Sequence, residues 1–163
     1  AISIRVGNAI GRGDPWGAQY AGRIGLVIIL MFQTVSASIM LFFPEWIVGI
    51  YTDDLLVAPL AVSLLLYAAI FQYPDGVQIV MAGALRGYKD TRMPMVYMVI
   101  SFWIVGMTLG YNLTFNGGMG PAGMWIGMIA GLTVASALML RRFHHTSGRF
   151  IEAADDGPST RLA

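Results

Sequence analysis

Apolar residues in this chain fall into long blocks divided by short polar breaks. The uncharged blocks run over residues 24–43, 93–115 and 119–140, and a fourth, Leu60–Leu85, carries a single charge, Asp75. Each is long enough, as a helix, to cross a hydrocarbon core about 30 Å thick. The pattern predicts an all-α membrane protein with spans at about 15–43, 60–85, 93–115 and 119–142. Residues 1–11 (AISIRVGNAIG) read as the last turns of a preceding helix that begins upstream. Residues 1–146 then form one transmembrane bundle. From residue 147 the chain turns polar, and a disordered cytoplasmic tail is expected over 147–163.

The breaks carry their own signals. Asp14 can cap a helix that has Pro15 in its first position. Pro44 and Glu45 end the first span, with Trp46 and Tyr51 flanking it as aromatic residues do at a membrane interface. Thr52, Asp53 and Asp54 form the loop or cap the next helix. Asn116, Gly117 and Gly118 predict a tight turn. Within the spans, Gly123, Gly127, Gly131 and Ala135 recur every fourth residue, a ridge that lets two helices approach closely. Gln33, Thr34, Ser36, Ser38 and Gln72 read as helix–helix hydrogen-bonding positions.

Composition agrees with burial in lipid. Of 163 residues, 56% are apolar and 12% charged, against about 25% charged in soluble domains. There is no cysteine, which excludes disulfides, zinc–thiolate sites and thiol catalysis. The adjacent His144 and His145 read as interfacial residues rather than metal ligands. The net charge is +1, but the ten basic residues are segregated. Arg5, Arg12 and Arg23 precede the first apolar block, Arg86, Lys89 and Arg92 lie between the second and third, and Arg141, Arg142, Arg149 and Arg161 follow the fourth. The loops at 44–59 and 116–118 have none. Lysine and arginine mark the cytoplasmic side, so the amino end and the tail are expected there. The basic loops suit lipid head groups better than nucleic acid.

The residue with most chemical meaning is Asp75. At about 1.5 Å per residue it lies about 15 Å from the Leu85 end of its span, near the bilayer middle. A carboxylate there is costly and marks a functional site by default. The alternative is a structural hydrogen bond. Pro74 has no N–H, so the Ile70 carbonyl loses its helical partner, and Gly76 leaves the backbone bare on the other side. Pro74 and Gly76 therefore predict a kink, with a freed carbonyl and a carboxylate at one depth. Such a set can hold a proton or a small cation, with Na⁺ on Asp75 as the possible metal. Tyr67, Phe71, Asp75, Gln78 and Met81 follow one another at steps of four and three, which places them on one face. Rings attract cations and methionine adapts its shape, so the stripe is a candidate cavity lining for amphipathic or cationic small molecules; plain packing is the alternative.

Enzyme signatures are missing. There is no phosphate loop closed by Gly-Lys-Ser/Thr, no H-E-x-x-H, no G-x-S-x-G and no second carboxylate in the membrane. No organic cofactor is expected; H⁺ or Na⁺ would act as coupling ion.

SIRVGNAIGRGD, AAIFQYPDGVQIVMAGALRGYKDTRMPM, SFWIVGMTLGY and GPAGMWIGMIAGL together resemble the multidrug and toxic compound extrusion (MATE) family, in its NorM-like branch, over residues 1–143. The resemblance implies a cation-coupled antiporter of twelve helices in two lobes, located in the bacterial inner membrane. The chain would supply its carboxy-terminal part and need the missing amino-terminal helices as partners. It also implies that Asp75 is the tenth-helix carboxylate that takes part in cation coupling. Phe71 stands where related sequences often carry tyrosine. Two other readings stay open: a lipid-linked oligosaccharide flippase of the same superfamily, which would need cationic residues facing the cavity, and a non-transporting membrane scaffold.

Overall fold

The computed structural model describes residues 2–52, 54 and 56–156. Among these residues there are helices and turns and no strand. Helix α1 (Ile2–Gly11) is followed by α2 (Pro15–Phe42), a short α3 (Pro44–Gly49) and α4 (Ala58–Gly87). The third span, Arg92–Asn116, consists of α5 (Arg92–Ile100), a wide π-helical stretch at Ser101–Met107, α6 (Thr108–Tyr111) and a second wide stretch at Asn112–Asn116. Helix α7 (Pro121–Asp155) closes the chain. Four of these segments are long and apolar enough to cross a membrane.

The local signals act as their chemistry requires. The Asp14 carboxylate accepts from Gly17 N–H at 2.7 Å, with Pro15 in the first turn of α2. Trp46 and Tyr51 are exposed beside α3. Gly118 and Gly120 turn the chain into α7 with φ of 65° and 56°, the left-handed region that glycine enters at least cost. Asp53 of the expected 52–54 loop lies outside the described residues. Helix α4 runs unbroken past Pro74.

Helix α4 packs between α2 and α7, and α1 packs on α2 and α4. One apolar core joins them: Val6, Ala9, Ala18, Met81, Ala84, Leu85, Tyr88, Met139 and Phe143. It lies at the end of the bundle where α1 ends, α2 begins and α4 exits. Away from it, large apolar side chains such as Phe32, Phe42 and Trp103 are exposed, as a surface facing lipid or further helices requires.

The third span meets α7 through glycine. A Cβ at Gly123 would lie 2.6 Å from Thr114 N, and one at Gly131 would lie 3.0 Å from the Ser101 carbonyl. A Cβ at Gly127 would overlap the backbones of Gly106 and Gly110. Both π-helical stretches of the third span lie along this contact. The small-residue ridge therefore serves close backbone approach. The wide turns were not foreseen, because they lie on the facing span, at Ser101–Met107 and Asn112–Asn116, and not on the ridge itself.

One expectation is overturned. The chain is not disordered from residue 147: α7 continues to Asp155, well past the span end expected at 142. Phe143, Ser147 and Ile151 extend the buried face of α7 at steps of four. Ser147 Oγ accepts from Gln19 Nε2 at 3.1 Å and donates to the His144 carbonyl. A polar composition conceals this stripe, because only every fourth residue is inside. Residues 157–163 of the expected tail lie outside the described residues.

Gly127→Ala should destabilise the bundle by about 1–3 kcal/mol, since backbone must move to admit the methyl. Gly148→Ala, in the same helix with nothing within 4 Å of its Cβ, should be neutral or stabilising by up to about 1 kcal/mol. Thermal unfolding of both variants in detergent checks the pair. Equal midpoints would mean that the close approach does not carry stability.

Candidate functional site

The middle of α4 is where apolar packing gives way to unmatched polar groups. Asp75 is half-buried and has no hydrogen bond or ion pair with any described residue. The alternative of a structural hydrogen bond thus has no partner among them. Phe71, one turn before, meets Trp125 of α7 edge to face at 5.8 Å between centroids. Gln78, one turn after, is buried, and its Oε1 receives no hydrogen bond from any described residue. Tyr67 is half-buried further along the same side.

Met81 departs from the stripe. It is fully buried within the apolar core. The four-and-three stepping that put it on the Asp75 face also carries it to the level where α1, α2 and α7 converge. It is a packing residue and does not line a cavity.

The other side of α4 is held from α2. Gln33 is buried, and its Nε2 donates to the carbonyl of Gln72. Its amide fills the space left by Gly76, where any Cβ would overlap it. Glycine at 76 therefore admits a cross-helix side chain beside the proline, a role that a kink alone does not describe. Gln33 Oε1 is buried without a donor. The Gln72 side chain bonds the Ala69 carbonyl of its own helix at 3.3 Å and touches Met40 Sδ of α2. Tyr73 Oη reaches Thr34 Oγ1 at 3.4 Å. Thr34 and Ser38 bond carbonyls of α2 itself, so of the polar positions in that span Gln33 makes the tie to the α4 backbone. Its importance was not separable in sequence from that of its neighbours, since the signal is a glycine on another helix.

The donor set limits what could bind. Asp75 offers a carboxylate, and Gln78 on the same face offers an amide oxygen without a donor among the described residues. Pro74 leaves the Ile70 carbonyl without its usual N–H. All are oxygens, and among the described residues no three His, Cys, Asp or Glu side chains gather. One negative charge with neutral oxygens suits a proton or a monovalent hard cation, not a softer transition metal.

The MatE family profile matches residues 1–112. The chain is 54% identical over 154 residues to the "Probable multidrug resistance protein NorM" of Xanthomonas campestris pv. campestris, covering 94% of this chain and 34% of that protein. It is 39% identical over 155 residues to the "Multidrug resistance protein PmpM" of Pseudomonas aeruginosa, covering 93% and 32%. Among solved structures, an inward-facing multidrug resistance MATE family transporter of the MOP superfamily superposes with a TM-score of 0.83 at 14% identity, over 93% of this chain and 35% of that one. The eukaryotic MATE transporter AtDTX14 gives 0.73 at 18% identity, over 94% and 35%. The chain spans about a third of the length of the curated relatives it matches.

Gly76→Ala and Gln33→Ala test the notch. Each alone should destabilise, the first by overlap and the second by an open cavity and a lost hydrogen bond. Together they should cost less than their sum by about 0.5–3 kcal/mol, as for contacting residues. A double-mutant cycle of unfolding in detergent reads this, and strict additivity would rule out the contact.

Proposed function

Because this chain belongs to the MatE family, a family of transporters and not of enzymes, we propose that it is the part of a secondary multidrug exporter that carries the coupling carboxylate, Asp75. The observation that carries the proposal is the carboxylate itself. It is half-buried in an apolar span, beside Pro74, with no partner among the described residues. An acid is seldom kept at such depth without a ligand.

In this reading Asp75 binds H⁺ or Na⁺. For a proton the carboxylate suffices, and for Na⁺ the Oε1 of Gln78, one turn along the same face and without a hydrogen-bond partner among the described residues, is the candidate further ligand. Binding removes the negative charge from the face that Phe71 and Tyr67 share, and so weakens the hold of that face on an organic cation. Release of the ion restores it. Drug affinity and ion affinity are then linked reciprocally, which antiport requires. Gln33 acts as a positioning residue, tying the turn before Asp75 to α2.

The charge distribution supports an orientation. Arg12, Lys89 and Arg149 line clefts at the core end of the bundle, and the loops at the other end have no lysine or arginine. By the positive-inside rule the core end faces the cytoplasm of a bacterial inner membrane. The substrates are amphipathic or cationic small molecules, and the remaining helices of the transporter complete the cavity.

Asp75→Asn, made in the intact transporter and assayed for dye efflux driven by an imposed proton or sodium gradient, should reduce gradient-dependent efflux to background at unchanged membrane abundance. Efflux that still follows the gradient at the original rate would remove Asp75 from coupling.

A further inference from the structure

At the basic end of the bundle a cleft of about 450 Å³ opens between the α4–α5 turn and the end of α7. Tyr88, Lys89 and Asp90 form one wall, and Arg142, Arg149 and Phe150 the other. Asp90 is matched by Arg142 in a salt bridge of 2.8 Å. Lys89 and Arg149 have no anionic partner among the described residues and are exposed, so the cleft holds an excess of positive charge. Lys89 also sits at φ 63°, a conformation that a residue with a side chain seldom adopts and that often accompanies a functional demand.

Tyr88 makes the cleft more than a charged surface. It is only 5% exposed, and its ring lies against Phe143 and Phe150 at 6.1 and 5.2 Å. Its hydroxyl is buried and bonds no described residue. An unmatched buried hydroxyl is costly. Burial pushes this phenol up to about 12, so it is a neutral donor at physiological pH. A neutral donor beside two free cations asks for an anionic oxygen acceptor.

A second cleft of about 240 Å³ shares Arg142, is lined also by Arg141 and His145, and reaches Tyr97 and Leu138, back along α7 toward its apolar part. Leu138 and the ring of Tyr97 offer an acyl chain apolar contact that a free anion would not use. We propose that the cleft binds the phosphate of an anionic phospholipid, held by Lys89 and Arg149 with the Tyr88 hydroxyl as donor, its chains directed past Arg142 toward Leu138. Basic pockets between helices at the membrane surface recognise head groups in this way. The site is separate from Asp75 and stands or falls independently of the coupling reading.

The test uses the full chain purified in neutral detergent, with phosphatidylglycerol or phosphatidylcholine added and bound lipid counted by native mass spectrometry. Phosphatidylglycerol should be retained in preference. Lys89→Gln combined with Arg149→Gln should weaken it about twenty-five-fold, at about fivefold per cation, without altering phosphatidylcholine. Both side chains are exposed, and circular dichroism verifies that the helices persist. Tyr88→Phe keeps the ring and should weaken retention several-fold. Arg12→Gln, at the same end but on a different cleft, should change nothing. Undiminished phosphatidylglycerol binding in the double variant would overturn the proposal. So would an equal loss in Arg12→Gln, which would reveal general surface attraction. Displacement of the lipid by an equal concentration of inorganic phosphate would reassign the cleft to a free anion and overturn the lipid claim.

Discussion

Inside a bilayer there is no water to satisfy a backbone N–H or carbonyl, and this constraint governs most of what the chain does. It forces helices throughout the apolar blocks. It also makes each interruption of a helix a local problem that something must answer. At Pro74 the helix loses the N–H from which the Ile70 carbonyl would accept, and beside it a polar side chain from another helix, Gln33, enters the gap at Gly76 and bonds the Gln72 carbonyl. Along the third span the helix widens where it meets the glycine ridge of α7.

The same constraint removes the ordinary hydrophobic drive for helix association, because lipid is as apolar as the side chains. Cohesion then comes from close contact. Gly127 against Gly106 and Gly110 lets two backbones touch, and the core around Met81, Leu85 and Phe143 joins α1, α2, α4 and α7 at one end. Firm packing at that end, with Ser147 tied to Gln19, anchors α4 on one side of Asp75. On the other side the helix surfaces are largely exposed. An acid at the border between a fixed and an open region is well placed to answer to what binds it.

Asp75 and the Tyr88 cleft present two polar groups unmatched among the described residues. One is a lone charge deep in an apolar span, the other a neutral hydroxyl under a rim of cations at the bundle end. Asp90, two residues after Tyr88, shows the contrasting case. It has a partner in Arg142 and so ties a loop to a helix.

Much was legible from the residues in order. Span positions, the Asp14 cap, the glycine ridge and the isolation of Asp75 depend on hydrophobicity, spacing and local backbone chemistry, all of which are properties of short stretches. Pairings between distant stretches were not. Nothing near Gly76 in sequence points to Gln33, Met81 looked like a member of the Asp75 face until the converging helices enclosed it, and the stripe Phe143, Ser147, Ile151 was masked by the polar residues around it. These belong to tertiary structure because burial is decided by which surfaces meet, and the partner surface lies tens of residues away.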